Sequence, residues 1–253
     1  MIVQNCSFTV HFPQNVTIRE SLFNLEKHFS DFQKPFTLVP LPPEAPIEIP
    51  RIIATTKGGH SQLLLTGSSI QLTTNFDSNF NLDVAKCIEY VKSKCTSIIS
   101  SLPIIGAEVE GKPKFYFSGL SASFLFTEED GIQSSIDYIS SKFLKCDSNL
   151  KKDEVQFRIA FVLENKYYVN IVAQNYREFT NGPDERGSFV NLGLKKEGLQ
   201  IIIDINDRFA FNHEKEYLSS EDTANTIVYL AEQFAKEHVK HFVEEGEVKY
   251  AIE

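Results

Sequence analysis

Two stretches of this chain repeat one pattern at a fixed offset. Phe8, Val10 and Phe12 alternate with Thr9 and His11, and 114 positions later Ala122, Phe124 and Phe126 occupy the matching places. Alternation of this kind predicts a half-buried strand. Each stretch is followed by an apolar stripe at helical spacing, Ile18, Leu22, Leu25 and Phe29 in the first, Ile132, Ile136, Ile139 and Phe143 in the second. One helix stripe says little, because surface helices commonly have one. The joint recurrence of strand, turn and stripe predicts a duplication. It sets the first unit at residues 1–115 and the second at 116–253.

The later parts of each unit agree more loosely. HSQLLLTGSSIQLTTNF (60–76) reads as two strands about Gly67-Ser68, before a helix with the stripe Val84, Cys87, Ile88, Val91, Cys95, Ile98 and Leu102. LQIIIDINDRFAFN (199–212) precedes a helix from about Ser219, with the stripe Ile227, Leu230, Phe234, His238 and Phe242, and Gly246 as a C-terminal stop. VQFRIAFVL, YYVNIVAQN and SFVNLGL read as an antiparallel meander. Prolines at 40, 42, 43 and 46 make a connector poor in ladder bonds. The expected fold class is therefore α+β: two tandem pseudo-symmetric strand-helix-strands-helix units forming antiparallel sheet, packed by long helices into one body.

Composition narrows the function classes. At 253 residues and 42% hydrophobic content the chain can bury a large core. Its net charge of −9, with basic residues interleaved among acids, argues against nucleic acid as a partner. The start, MIVQNCSFTVHF, does not read as a signal peptide, and no apolar run is long enough to span a membrane. Cys6, Cys87, Cys95 and Cys146 lack metal or redox spacing, so reduced thiols and a cytoplasmic location are expected.

Candidate chemistry is sparse. Thr17 and Glu20 have capping-box spacing, marking the first helix start. Asp204 and Asn206 share one strand face, but a hard cation wants about six oxygen ligands and no others lie near in sequence. Asn206-Asp207 reads as a tight hairpin turn, as does Gly58-Gly59. In EHVKH (237–241) the histidines are three apart, not the four of a helical zinc site, and His238 falls on the apolar stripe. Neither metal nor cofactor is expected. Glu164-Asn165-Lys166 looks like the end of a nuclease strand but sits between two apolar runs, where a turn belongs. The segment REFTNGPDERGS (177–188) reads as a long polar loop. Its Arg177, Asp184, Glu185 and Arg186 are the candidate ligand- or partner-binding residues.

Several of these segments, HSQLLLTGSSIQLTTNF, FYFSGLSASFLF and LQIIIDINDRF, resemble a sporadically distributed family of uncharacterised bacterial proteins of similar length. In that family the late strand often reads Ile-Asp-x-Asp; here it is Ile203, Asp204, Ile205, Asn206. The resemblance implies an accessory role, as in defence against phage, and supplies no catalytic residue. The expected function is a non-enzymatic binding protein for a protein partner or small ligand, with a homodimer as one arrangement. The alternatives are a metal-dependent hydrolase or nuclease using Asp204 and Glu164, with Asp153 or Glu154 as further carboxylates, and a carrier with a cavity between sheet and helices.

Overall fold

The computed structural model describes residues 1–42, 44–144, 151–183 and 189–248. Its main element is a nine-stranded sheet. In chain order the strands are β1 (Ile2–His11), β2 (Thr37–Leu38), β3 (Ile52–Thr55), β4 (Ser61–Leu65) and β5 (Ser69–Asn75). They continue with β6 (Glu108–Val109), β7 (Lys112–Phe115), β8 (Phe117–Phe126), β9 (Gln156–Leu163), β10 (Tyr167–Pro183), β11 (Phe189–Asn206) and β12 (Ser219–Ser220). The sheet order is β2-β3-β4-β5-β1-β8-β11-β10-β9, and every neighbouring pair is antiparallel. Outward from the central β1–β8 pair, one side runs β5, β4, β3 and the other β11, β10, β9. Strands β12, β7 and β6 form a separate small sheet.

The helices are α1 (Leu22–His28), α2 (Val84–Ser101), α3 (Ser135–Lys142), α4 (Arg208–His213), α5 (Glu221–Gln233) and α6 (Val239–Glu245). A π-helical segment, Phe234–His238, joins α5 to α6. Helix α2 packs on β1 and β5, α5 packs on β8 and β11, and the two helices touch. The core lies between them and the sheet. Cys6, Phe8, Val10 and Phe12 of the first strand region join Leu120, Ala122, Phe124 and Phe126 of β8, and Ile201, Ile203 and Ile205 of β11. Against them lie Cys87, Val91, Cys95 and Ile98 of α2, and Ile227 and Leu230 of α5 with Phe234 beyond it. Strand alternation and helix stripes both deliver their apolar residues here.

The starts of α2, α3 and α5 follow polar side chains that satisfy the first free N–H groups. Asp83 accepts from the Lys86 N–H at 3.1 Å, Ser134 from Asp137 at 3.2 Å and Ser220 from Thr223 at 3.4 Å. The capping box expected at Thr17 is absent: Thr17 makes no side-chain cap. Asn15 takes that part, its Oδ1 accepting from the Thr17 N–H at 2.9 Å and the Thr17 hydroxyl at 3.0 Å. A complete capping box occurs instead at Thr127 and Asp130, before a short 3-10 turn.

Two further expectations are corrected. Asn206-Asp207 is not a hairpin, because β11 runs directly into α4. The segment from Arg177 is not a loop, because residues 177–183 continue β10 and pair with β11 back from Glu197 to Phe189. Beyond the Tyr176–Gly198 pair, β10 has left β9 and β11 has left β8. The two strands then continue as a two-stranded arm.

Candidate functional site

The stretch LQIIIDINDRF shows how one strand serves two faces. Ile201, Ile203 and Ile205 are buried beneath the helices. Gln200, Asp204 and Asn206 point to the other side, where polar groups from adjacent strands align. Thr73, Ser7, Ser121, Asp204 and Asn170 follow one another across β5, β1, β8, β11 and β10 by direct register. Such cross-strand neighbours lie close enough to bond. Gln71 Nε2 donates to Ser7 Oγ at 3.0 Å, and Gln200 Nε2 donates to Gln4 Oε1 at 2.7 Å and Ser123 Oγ at 2.9 Å. Gln174 Nε2 donates to Gln200 Oε1 at 2.6 Å.

Asp204 is a carboxylate in this network, which Arg158 joins by donating Nη2 to Asn170 Oδ1 at 3.1 Å. Asp204 Oδ2 accepts from Asn170 Nδ2 at 3.0 Å and from Asn206 Nδ2 at 2.9 Å. Burial raises its carboxyl above the ordinary value, and the two amide donors and the nearby Arg158 oppose that rise. The arrangement holds the carboxyl in an amide cradle. Among the described residues, no group of three or more His, Cys, Asp or Glu side chains could hold a metal ion.

Asp207 has a different place. It is fully buried, with Oδ1 accepting from the Ser118 N–H at 2.6 Å and Oδ2 from the Tyr217 hydroxyl at 2.7 Å. Burial and the carboxylate hold the Tyr217 hydroxyl protonated well beyond its usual range. Asp207 thus ties β8 to the segment after α4. At that end of the open face, Phe117 stacks on His11 at 4.4 Å and lies 5.1 Å from Phe211 of α4.

The other candidates resolve individually. Glu164 and Asn165 both have positive φ, 52° and 50°, and form the turn between β9 and β10. The Lys166 N–H closes the turn on the Leu163 carbonyl at 2.9 Å, and three residues separate the register partners Leu163 and Tyr167. Glu164 is exposed there. Asp204 pairs with Asn170, four residues up β10 from Lys166, or ~13 Å along a strand. The two carboxylates are not brought together. Lys166 Nζ donates to Thr223 Oγ1 at 3.0 Å. His238 lies beside Phe234, with ring centroids 5.1 Å apart.

Arg177 is engaged in ion pairs, its Nη1 3.3 Å from Asp153 Oδ1 and its Nε 3.5 Å from Glu197 Oε1. Asp184, Glu185, Arg186 and Cys146 lie outside the described residues. Cys6, Cys87 and Cys95 are buried and free. Burial, with a smaller contribution from Cys87, pushes the Cys6 thiol up to about 12, and burial with Asp83 pushes Cys87 up to about 11. These are packing groups, not nucleophiles. Between sheet and helices, the space lined by Val3, Cys6, Cys87, Val91, Phe124 and Val228 measures about 30 Å³, room for one water.

Sequence reasoning did not find the open face as a unit. Its polar residues were visible one strand at a time, but the row exists only once β1 lies between β5 and β8. The chain matches no protein-family model, and no curated protein matches it. No helix among the described residues is long and apolar enough to cross a membrane.

Proposed function

We propose that the protein is a non-enzymatic binding protein whose recognition element is the β10–β11 arm. The carrying observation is that, among the described residues, 177–183 and 189–197 form strand ladders with each other and with no third strand of the main sheet. A two-stranded ribbon alone is marginally stable in water and gains from a partner. On this arm Phe179 and Leu194 are direct register partners, 41% and 52% exposed. Glu178 pairs with Lys195 at 2.5 Å beside them. An apolar pair rimmed by charges is the composition of a protein-binding patch. The polar open face beside the arm's root extends the surface on offer. The same reading takes the chain as two fused units. The repeat at offset 114 in the sequence and the outward strand order from the β1–β8 pair support that view.

Native mass spectrometry of the full chain tests the reading. The wild type should carry a stoichiometric second chain, either another protein or a second copy. The double variant Phe179→Asp/Leu194→Asp should lose it, while Glu89→Lys on the exposed side of α2 keeps it. An unchanged complex in the arm variant, or bare chains throughout, would reject the arm as the recognition element.

A further inference from the structure

A second site lies at the opposite end of the sheet, where the chain leaving β1 meets the proline-rich connector and the β4–β5 turn. Gln14, Asn15, Arg19, Glu44, Arg51 and Gly67 line a cavity of about 330 Å³ there. Its construction is rigid. The Asn15 N–H donates to the Gly67 carbonyl at 2.8 Å, and the Gly67 N–H donates to the Ile47 carbonyl at 3.0 Å. A Cβ at Gly67 would lie 2.5 Å from Ile47 Cγ1, so glycine is what lets the connector approach this closely. Asn15 Nδ2 donates to the Ile105 carbonyl at 2.8 Å, anchoring the opposite wall.

Two arginines share the cavity, and both are held by backbone carbonyls. Arg19 Nη2 donates to Val39 O at 2.5 Å; Arg51 Nη2 donates to Ala45 O at 2.8 Å and Pro46 O at 3.1 Å. Among the described residues neither guanidinium has a carboxylate within ion-pair distance, although the chain holds 34 acidic residues against 25 basic ones. Among the described residues, Arg19 Nε and Arg51 Nη1 are buried donors without a partner. A buried unpaired donor is costly, and a charged one more so. Arg177 shows the contrast, with a carboxylate on each side of it. Glu44 also lines the cavity, leaving its lining one positive charge in excess.

We propose that this cavity binds the phosphate monoester group of a small molecule. Each guanidinium presents a planar fork of donors matched to an oxyanion. Two forks suit a dianion with three free oxygens better than a single carboxylate, which one fork already saturates. The volume lies at the low end for ligand pockets, fitting a compact metabolite and excluding a dinucleotide. The backbone bonds to Val39, Ala45 and Pro46 hold both side chains in place before the ligand arrives, which lowers the ordering cost of binding. The proline-rich connector then acts as the wall of a binding site. This inference stands apart from the arm, and each can fail alone.

Inorganic phosphate titrated into the full chain is the test, followed by calorimetry and by the Nε–H resonances of the arginines, with acetate at matched ionic strength beside it. The expected result is a saturable phosphate isotherm, movement of the Arg19 Nε–H signal and no comparable response to acetate. Arg51→Met should weaken binding by about tenfold or more, from loss of a charged hydrogen-bond donor. Because Arg51 also braces the connector, Glu44→Gln is the variant that leaves the fold alone: its exposed carboxylate repels the ligand, and its removal should tighten binding by about threefold. Phe179→Asp/Leu194→Asp should change nothing here. An isotherm that does not saturate, one that moves with neither Arg51→Met nor Glu44→Gln, or one matched by acetate would overturn the proposal.

Discussion

Two carboxylates three residues apart illustrate how little a residue's type decides. In the sequence Asp204 stood as a candidate carboxylate on a strand face, and Asp207 as part of a turn. Asp207 went inward because α4 begins there, and it now bonds the Ser118 N–H and the Tyr217 hydroxyl. Asp204 stayed on the open face within reach of two amides. Its folded pKa is raised, chiefly by burial. A raised carboxyl contributes stability that is fully present below its unfolded pKa and is lost as pH rises through the folded value. Asp204→Asn removes that loss while keeping the shape and an acceptor oxygen. The variant should melt higher than the wild type near neutral pH, and the gap should close below about pH 4, near the ordinary carboxyl value. A melting-temperature series across pH checks this; a gap that widens in acid would contradict the burial argument.

Strands β10 and β11 were legible as strands, and the turn from β9 into β10 at Glu164-Asn165 was legible from its place between two apolar runs. Their length was not. Gly182, Pro183 and Gly187 are turn-formers, so 177–188 read as a loop. Cross-strand pairing overrode that local preference and carried β10 on to Pro183. Gly198 marks the arm's root, where β11 separates from β8. A Cβ there would stand 2.4 Å from the Phe126 carbonyl oxygen and 2.9 Å from Leu125 Cδ1. A backbone oxygen cannot turn aside as a flexible side chain can. Gly198→Ala should therefore cost about 1–3 kcal/mol, as overpacking does. Urea melts would show the loss, and hydrogen exchange should quicken first at Leu199, beside the displaced Phe126.

Across the whole molecule, the β1–β8 pair joins the two halves through a ladder from Ile2–Leu125 to His11–Phe117. Cutting there would bare a long apolar edge strand on each side and divide a core that α2 and α5 close together. Residues 1–115 and 116–253 expressed apart should each fail to fold cooperatively, and mixing them should restore a cooperative melt. Independent folding of either piece would mark it as a domain in its own right.

What the sequence determined by itself was local and periodic. Alternation placed β1, β5, β8 and the buried edge of β11. The 3.6-residue stripes placed α2 with most of its core residues, and in α5 they marked Ile227 and Leu230 but not the buried Ala224, Val228 and Ala231. These follow from side-chain direction along a single element, which needs no knowledge of neighbours. The tertiary structure decided everything that depends on which elements meet. It set the polar row across five strands, the arm beyond the sheet, the inward turn of Asp207, and the convergence of Arg19 and Arg51 from segments 32 positions apart. Those relations arise from strand order and chain reversal, and no period in the sequence encodes them.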